Sequence, residues 1–235
     1  MRTTTFSEWL AVNDTEENAC KWFHYTDNDM HIAFMNETIE KIFKEELKWH
    51  KSKIQCIYLY GSRCYGIDRE DSDYDFTVVA KASVENVEYV FDNFNIHVQT
   101  ADYFQKRLDW NDPKVIECLL WSQQNSIVEN LNFEIKIVPS KYRHAVSQIS
   151  SNSWVKAGKK IEQGDIFIGQ KSLYHSLRIP MYAIQVMKHG DIIDWKCANK
   201  YWEDIIQNDN WESLAKKYKP IRNKIMTEFR ELCPK

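Results

Sequence analysis

The feature that most constrains the fold of this chain is a glycine turn that follows one apolar stretch and comes shortly before another. Residues 54–60 are apolar enough to form a buried strand, and residues 76–80 carry the β-branched residues typical of a second strand. Gly61 follows the first stretch, and Asp73 and Asp75 lead into the second. The segment therefore predicts two neighbouring strands with a polar site between them.

The residues at the glycine turn suit the binding of phosphate groups. Gly61 can adopt a positive φ and lets the backbone come close to a ligand. Ser62 adds a hydroxyl group, and Arg63 adds a planar set of hydrogen-bond donors. This corner is suited to the phosphates of a nucleotide.

The two aspartates suit a divalent cation. Because Asp73 and Asp75 are two residues apart, a strand would present both carboxylates on one face, roughly 6 to 7 Å apart. Mg²⁺ prefers oxygen ligands and takes only one or two protein carboxylates. Without a cation, the two like charges would raise each other's pKa and destabilise the strand. A solvated turn at residues 71–73 is the alternative interpretation, but it does not explain the Gly-Ser-Arg turn upstream.

Together, Gly61-Ser62-Arg63, Gly66 and the acidic run Asp71-Ser72-Asp73-Tyr74-Asp75 resemble the signature of the DNA polymerase β-like nucleotidyltransferase superfamily. The resemblance implies that Gly61 and Ser62 hold the phosphates of an NTP, with ATP the expected one. It also implies that Asp73 and Asp75 bind Mg²⁺ or Mn²⁺. Asp73, Asp75 and Ser62 are then the candidate catalytic residues.

Two further blocks resemble the predicted nucleotidyltransferases associated with RNA repair. Residues 111–120 resemble an Asn-Pro-x-x-x-Glu-x-Leu segment, and residues 171–178 resemble a Lys-x-x-Tyr-His-x-x-Arg segment. The second block places four polar side chains on one helix face, and we expect these, with Arg63, to contact the nucleotide: Lys171, Tyr174, His175 and Arg178. By spacing alone, the same face could instead pack inward, with Tyr174 and His175 bonded to neighbours.

The resemblance also implies a third carboxylate on a later strand, and the corresponding residues 94–100 contain no acid. Asn95 or His97 could occupy that position, and Glu134 and Asp102 are candidate substitutes. A missing ligand in a two-metal mechanism would mainly affect activation of the nucleophile.

The apolar pattern predicts an α+β fold, in which a small mixed sheet with flanking helices is followed by a helical subdomain. An amphipathic helix is expected between Asp29 and Leu47. Short helices are expected at residues 84–92, 102–110 and 113–121, a strand at 133–138, and long helices at 140–161, 169–187, 196–207 and 211–232. Pro180 should kink the second long helix or end it. We divide the chain into an N-terminal extension (1–30), a nucleotidyltransferase core (31–139) and a helical subdomain (140–235).

Composition adds few constraints. The net charge of −3 does not require a nucleic-acid partner. A basic stretch beside Trp211 and Tyr218 could follow an RNA backbone or simply be a solvated face; it comprises Lys216, Lys217, Lys219, Arg222, Lys224 and Arg230. Six cysteines without a Cys-x-x-Cys pair argue against a zinc site or a disulfide framework. We expect a cytoplasmic protein with no membrane partner.

These observations predict transfer of NMP from an NTP to an acceptor, with release of pyrophosphate. An RNA end is the expected acceptor, and a protein side chain is the first alternative. The missing third acid motivates a different class of function, a nucleotide-binding module without turnover.

Overall fold

The computed structural model describes residues 53–81, 86–91, 93–125, 128–129 and 131–234, together with Lys41 and Lys44. The proposed N-terminal extension lies outside the described residues. So does the amphipathic helix expected between Asp29 and Leu47, apart from those two lysines.

The core of the fold is a mixed five-stranded sheet in the order β3-β4-β2-β1-β5. Its strands are β1 (Ile54–Tyr60), β2 (Tyr74–Ala80), β3 (Asn86–Phe91), β4 (Phe94–Gln99) and β5 (Val128–Glu129). Strands β2 and β4 are parallel, and the other neighbours are antiparallel. The two strands that flank the glycine turn are direct partners, as the sequence predicted.

Helices follow the strands and then dominate the chain. They are α1 (Ser62–Tyr65), α2 (Ala101–Asp109), α3 (Pro113–Asn125), α4 (Pro139–Glu162), α5 (Ile166–His189), α6 (Asn199–Ile205) and α7 (Trp211–Leu232). Local signals explain several helix starts: the Thr100 hydroxyl accepts a hydrogen bond from the Tyr103 amide, and Pro139 occupies the first turn of α4. The predicted α+β class with a helical C-terminal region is confirmed. None of the described helices is long and apolar enough to cross a membrane.

Two secondary-structure predictions are wrong. Residues 86–91 form the edge strand β3 where a helix was expected, because their side chains alternate between exposed and half-buried with the period of a strand. The strand expected at residues 133–138 is absent, although its side chains alternate in the same way. There the Asn111 side chain bonds the backbone in place of a neighbouring strand, through the Lys136 carbonyl at 2.8 Å and the Val138 amide at 2.7 Å.

Pro180 does not end its helix, because α5 continues to His189. A proline lacks the N–H that would bond the carbonyl four residues earlier, which here belongs to Ser176. The hydroxyl group of Ser150 on α4 donates to that carbonyl at 2.8 Å instead. The neighbouring helix thus satisfies the group that Pro180 leaves without a donor.

Apolar side chains from the sheet and the helices form one buried cluster. Phe76, Val78, Ile96 and Val98 of the sheet are fully buried, and so are Leu173 and Leu177 of α5. The sheet and α5 therefore contribute to one hydrophobic core.

Candidate functional site

Asp73 and Asp75 converge at the start of β2. Asp75 lies opposite Tyr60 of β1 and beside Asn95 of β4, and Asp73 comes directly before the strand. The Asn95 side-chain amide donates to Asp73 Oδ2 and to Asp75 Oδ1, each at 3.3 Å. The two carboxylate oxygens therefore lie no more than twice that distance apart. The strand register thus places both carboxylates beside the side-chain amide of Asn95.

Gly61 is packed directly against Asp75. Its backbone has φ 91° and ψ −163°, a region that essentially only glycine occupies. A Cβ atom at this position would lie 2.2 Å from Asp75 Oδ2. The glycine is therefore required both by its own conformation and by the carboxylate beside it.

Replacing Gly61 with Ala should both destabilise the protein and displace Asp75. We expect a loss of about 1 to 3 kcal/mol in the free energy of unfolding, because alanine is strained in this region. We also expect weaker metal-dependent nucleotide binding, because the new methyl group occupies the position of the carboxylate. Urea denaturation and a nucleotide titration would measure the two effects.

Gly164 provides the matched control for that substitution. Its φ is +87°, close to that of Gly61, but an added Cβ would meet nothing within 4 Å. Gly164→Ala should therefore cost stability while leaving nucleotide binding unchanged. Equal loss of binding in the two variants would show that the effect arises from general destabilisation and not from contact with Asp75.

The two residues after Gly61 are held by internal contacts. Ser62 is the first residue of α1 and is buried. The Arg63 guanidinium donates to the Ser72 carbonyl at 2.6 Å and to Asp68 at 3.3 Å, and it lies 3.8 Å from the centre of the Tyr74 ring. Arg63 therefore fixes the loop that leads to Asp73. Its predicted contact with a triphosphate stays a prediction.

Two lysines place positive charge near Asp75. Lys171 comes from α5, and Lys114 comes from the first turn of α3, where its ammonium group lies 4.0 Å from the centre of the Tyr60 ring. Burial raises the pKa of Asp75, while the hydrogen bond from Asn95 and the charges of Lys114 and Lys171 act in the opposite direction. Lys114 was not among the predicted site residues, although it lies within the block of residues 111–120 that resembles the RNA-repair nucleotidyltransferases.

The remaining members of the predicted helix face pack inward. The Tyr174 hydroxyl donates to Asn199 Oδ1 at 2.8 Å, and Arg178 is 4% exposed. Arg178 donates to Glu117 Oε2 at 2.8 Å and to His175 Nδ1 at 3.2 Å, and its guanidinium lies 3.7 Å from the centre of the Tyr65 ring. Of the four residues, Lys171 is the one whose charge acts on Asp75. The inward-packed alternative, with Tyr174 and His175 bonded to neighbours, agrees with these contacts: Tyr174 bonds Asn199, and the half-buried His175 accepts a hydrogen bond from Arg178.

These buried contacts tie the glycine turn to the helices. The Tyr65 hydroxyl donates to Glu117 Oε2 at 3.2 Å, which joins α1 to the ion pair between Glu117 and Arg178. The Asn199 amide donates to the carbonyls of Tyr65 and Gly66, at 2.9 and 3.3 Å. The helical region therefore fixes the position of the turn that carries Gly61 and Ser62.

His175 should make stability fall at acidic pH. Burial, together with the charges of Arg178, Lys171 and Lys156, lowers its pKa well below 6.5. Above pH 6.5, His175 is mostly neutral in both the folded and the unfolded protein. As pH falls below it, the unfolded state gains a proton first, so the folded state loses stability.

His175→Gln should reduce this acid sensitivity, because glutamine keeps an acceptor for Arg178 but does not titrate. The measurement is the free energy of unfolding from urea curves at pH 7.5 and at successively lower pH. Parallel curves for the two proteins across that range would contradict the assignment.

The other candidates, His97, Glu134 and Asp102, do not form a metal-binding group with the two aspartates. His97 pairs with Glu88 at 3.1 Å, and Glu134 and Asp102 are both exposed. Within the described ranges, no group of three or more His, Cys, Asp or Glu side chains could hold a metal ion. Asn95 is the residue that lies between the aspartates, in the position where the resemblance implied an acid.

Comparisons with known proteins point to the same part of the chain. Residues 37–138 match the family model described as "Polymerase beta, Nucleotidyltransferase", and this match includes Gly61, Asp73 and Asp75. No curated protein matches the chain. Among solved structures, a nucleotidyltransferase-like protein from Exiguobacterium sibiricum 255-15 is 14% identical, with 85% of this chain and 74% of that chain covered and a TM-score of 0.31. A TM-score this low supports no conclusion. The family match agrees with the superfamily resemblance, and the link to RNA repair stays a prediction.

Proposed function

We propose that this protein transfers a nucleoside monophosphate from an NTP, with ATP the expected donor, to an acceptor hydroxyl group. The observation that carries the proposal is the convergence of Asp73 and Asp75 on one point, with the Gly61 backbone against Asp75. The match of residues 37–138 to a nucleotidyltransferase family model supports it. An RNA 3′ end is the acceptor that the resemblance favours.

The donor set fits one Mg²⁺ or Mn²⁺ ion. Two carboxylates that converge on one point supply oxygen ligands, and water and substrate phosphates complete the coordination of Mg²⁺ in such sites. When bound, the ion would neutralise phosphate charge and polarise a phosphoryl oxygen. Asp73 and Asp75 are the residues that would hold it.

The residues of the chain would act mainly by positioning and by charge. The Gly61–Ser62 turn would contact the β- and γ-phosphates, and Lys171 would offset their negative charge. Asn95 holds the two aspartates together. In the reaction, the acceptor hydroxyl group gives its proton to water and its oxygen bonds to the α-phosphorus, while the bond from that phosphorus to the pyrophosphate oxygen breaks and pyrophosphate leaves. Catalysis of this kind depends on alignment and on electrostatic stabilisation of the transition state.

A second candidate function is nucleotide binding without turnover. Asn95 favours it, because an amide adds no negative charge and cannot act as a base at the position between the aspartates. A third alternative, transfer to a protein side chain, shares the chemistry of the proposal and differs only in the acceptor.

Transfer of label would test these functions. Each α-labelled NTP would be incubated with the full chain, Mg²⁺ or Mn²⁺, and a mixture of cellular RNA and protein, beside Asp73→Ala. We expect label that ribonuclease removes and that the variant does not produce. Label removed by protease would instead identify protein as the acceptor. Metal-dependent NTP binding with no label above that of the variant would overturn the proposal in favour of the binding module.

A further inference from the structure

The aspartate pair is surrounded by one neutral amide and two positively charged lysines. Asp73 and Asp75 contribute two carboxylates, and the neutral amide of Asn95 lies between them. Lys114 and Lys171 both act on Asp75 as positive charges. In the part of the chain that the structure describes, no third carboxylate joins the two aspartates in a metal-binding group. The two negative charges of Asp73 and Asp75 therefore match the charge of one divalent cation, and no further acid is needed.

Asn95 turns its NH₂ group, and not its carbonyl oxygen, toward the two aspartates in this arrangement. Both of its neighbours are carboxylate oxygens, so its NH₂ group faces them, and an NH₂ group only donates hydrogen bonds. Asn95 is also the parallel partner of Asp75 in the β2–β4 register, which fixes the amide beside the carboxylate. The place between the aspartates is therefore filled by a donor.

Lys114 brings a positive charge to the same end of the sheet. Its ammonium group lies 4.0 Å from the centre of the Tyr60 ring, and Tyr60 is the β1 partner of Asp75. Because Lys114 is in the first turn of α3, the positive end of the helix dipole adds to its charge. The lysine is half-buried, so solvent screens it less than an exposed lysine.

We propose that the site takes one divalent cation, held by Asp73 and Asp75, and that the ammonium group of Lys114 takes the place of a second one. In two-metal sites the ions lie about 3.5 to 4 Å apart, so their mutual repulsion must be offset by bridging acids. Two carboxylates match the charge of one such ion. Lys114, over the Tyr60 ring beside Asp75, then offsets phosphate charge. This inference rests on the proposed function.

Counting bound Mn²⁺ tests whether the site takes a single divalent cation. The full chain is saturated with a non-hydrolysable ATP analogue and titrated with Mn²⁺, and free Mn²⁺ is measured by electron paramagnetic resonance. We expect one ion per chain, and two in Asn95→Asp, where a third carboxylate replaces the amide. Two ions in the wild-type protein would overturn the inference and leave the proposed transfer intact. One ion in Asn95→Asp would overturn the idea that the amide at this position is what excludes the second ion. Failure of the wild-type protein to bind either Mn²⁺ or the analogue would overturn both.

Replacing Lys114 tests whether its ammonium group takes the place of a second cation. Lys114→Met should weaken binding of the triphosphate analogue about tenfold or more and leave AMP binding nearly unchanged, because the lysine acts on the charge of the distal phosphates. Lys106→Met is the matched control: Lys106 lies 5.1 Å from the centre of the Trp110 ring, on an exposed part of α2. Equal affinity of the Lys114→Met and Lys106→Met proteins for the triphosphate analogue would overturn the role of Lys114. Urea denaturation of both variants identifies any general loss of folding.

Discussion

Asp75→Asn is expected to reduce metal-dependent nucleotidyl transfer strongly while leaving the fold intact. The substitution keeps the shape of the side chain and removes one of the two charges that would hold the cation. An ion that neutralises transition-state charge is worth several kcal/mol, and about 1.4 kcal/mol corresponds to a tenfold change in rate. We therefore expect a fall in turnover of about two to three orders of magnitude, measured by transfer of α-labelled NMP.

Stability should respond in the opposite direction. Burial raises the pKa of Asp75, so its charged form is disfavoured in the folded protein. Without metal, Asp75→Asn should therefore unfold at the same urea concentration as the wild-type protein or at a higher one near neutral pH. Asp71→Asn is the control, because Asp71 is exposed and pairs with Arg69 in the preceding loop. Turnover in Asp75→Asn equal to that of Asp71→Asn would exclude Asp75 as a metal ligand needed for transfer.

Arg178→Met is expected to cause a large loss of stability, greater than that of Gly61→Ala. The Arg178 and Glu117 side chains are 5% and 8% exposed and meet at 2.8 Å. Removing the arginine leaves the Glu117 carboxylate buried with the Tyr65 hydroxyl as a remaining partner. Breaking a buried pair in this way costs about 3 to 5 kcal/mol. The free energy of unfolding from urea denaturation would measure the loss.

Two comparisons separate this explanation from a loss of packing. Lys188→Met breaks an ion pair with Glu228 that also involves α5 but is exposed, so it should cost less than about 1 kcal/mol. Combining Arg178→Met with Glu117→Leu should recover much of the lost stability, because no unpaired charge then remains buried. If the double variant is no more stable than Arg178→Met alone, lost packing around the arginine explains the effect.

The parts of the fold that could be predicted from the sequence depend on local patterns. The apolar run before Gly61 and the β-branched run after Asp75 predicted β1 and β2, and helical spacing predicted α4, α5 and α7. The glycine and the paired aspartates lie in one segment, with Asp73 twelve residues after Gly61, and their chemistry could be interpreted from that segment alone. The structure brings these groups together because β1 and β2 are direct partners.

The wrong prediction of a strand at residues 133–138 depends on a distant residue. Nothing near residues 133–138 indicates that the Asn111 side chain, and not a strand, would bond their backbone. Pro180 was expected to kink or end its helix; the helix does not end there, because Ser150 of another helix reaches the carbonyl of Ser176. In each case a tertiary contact satisfies a backbone group that the local sequence leaves open.

In the candidate site, too, local spacing predicted which residues share a helix but not which residues they contact. Helical spacing correctly placed Lys171 and Arg178 on one stretch of α5, but it could not show that Glu117 holds Arg178 in the core. Nor could the spacing show that Lys114 of α3 would lie over Tyr60. Both contacts depend on how α3 packs on the sheet and on α5.

Anomalous diffraction would show whether the aspartate pair holds the cation beside a bound nucleotide. Crystals of the full chain grown with Mn²⁺ and a non-hydrolysable ATP analogue would be measured at the manganese absorption edge. We predict an anomalous peak about 2.1 Å from a carboxylate oxygen of both Asp73 and Asp75, with the triphosphate beside the Gly61–Ser62 turn. A bound nucleotide with no ion at the aspartate pair, or an ion held elsewhere, would contradict the assignment of Asp73 and Asp75 as the metal ligands.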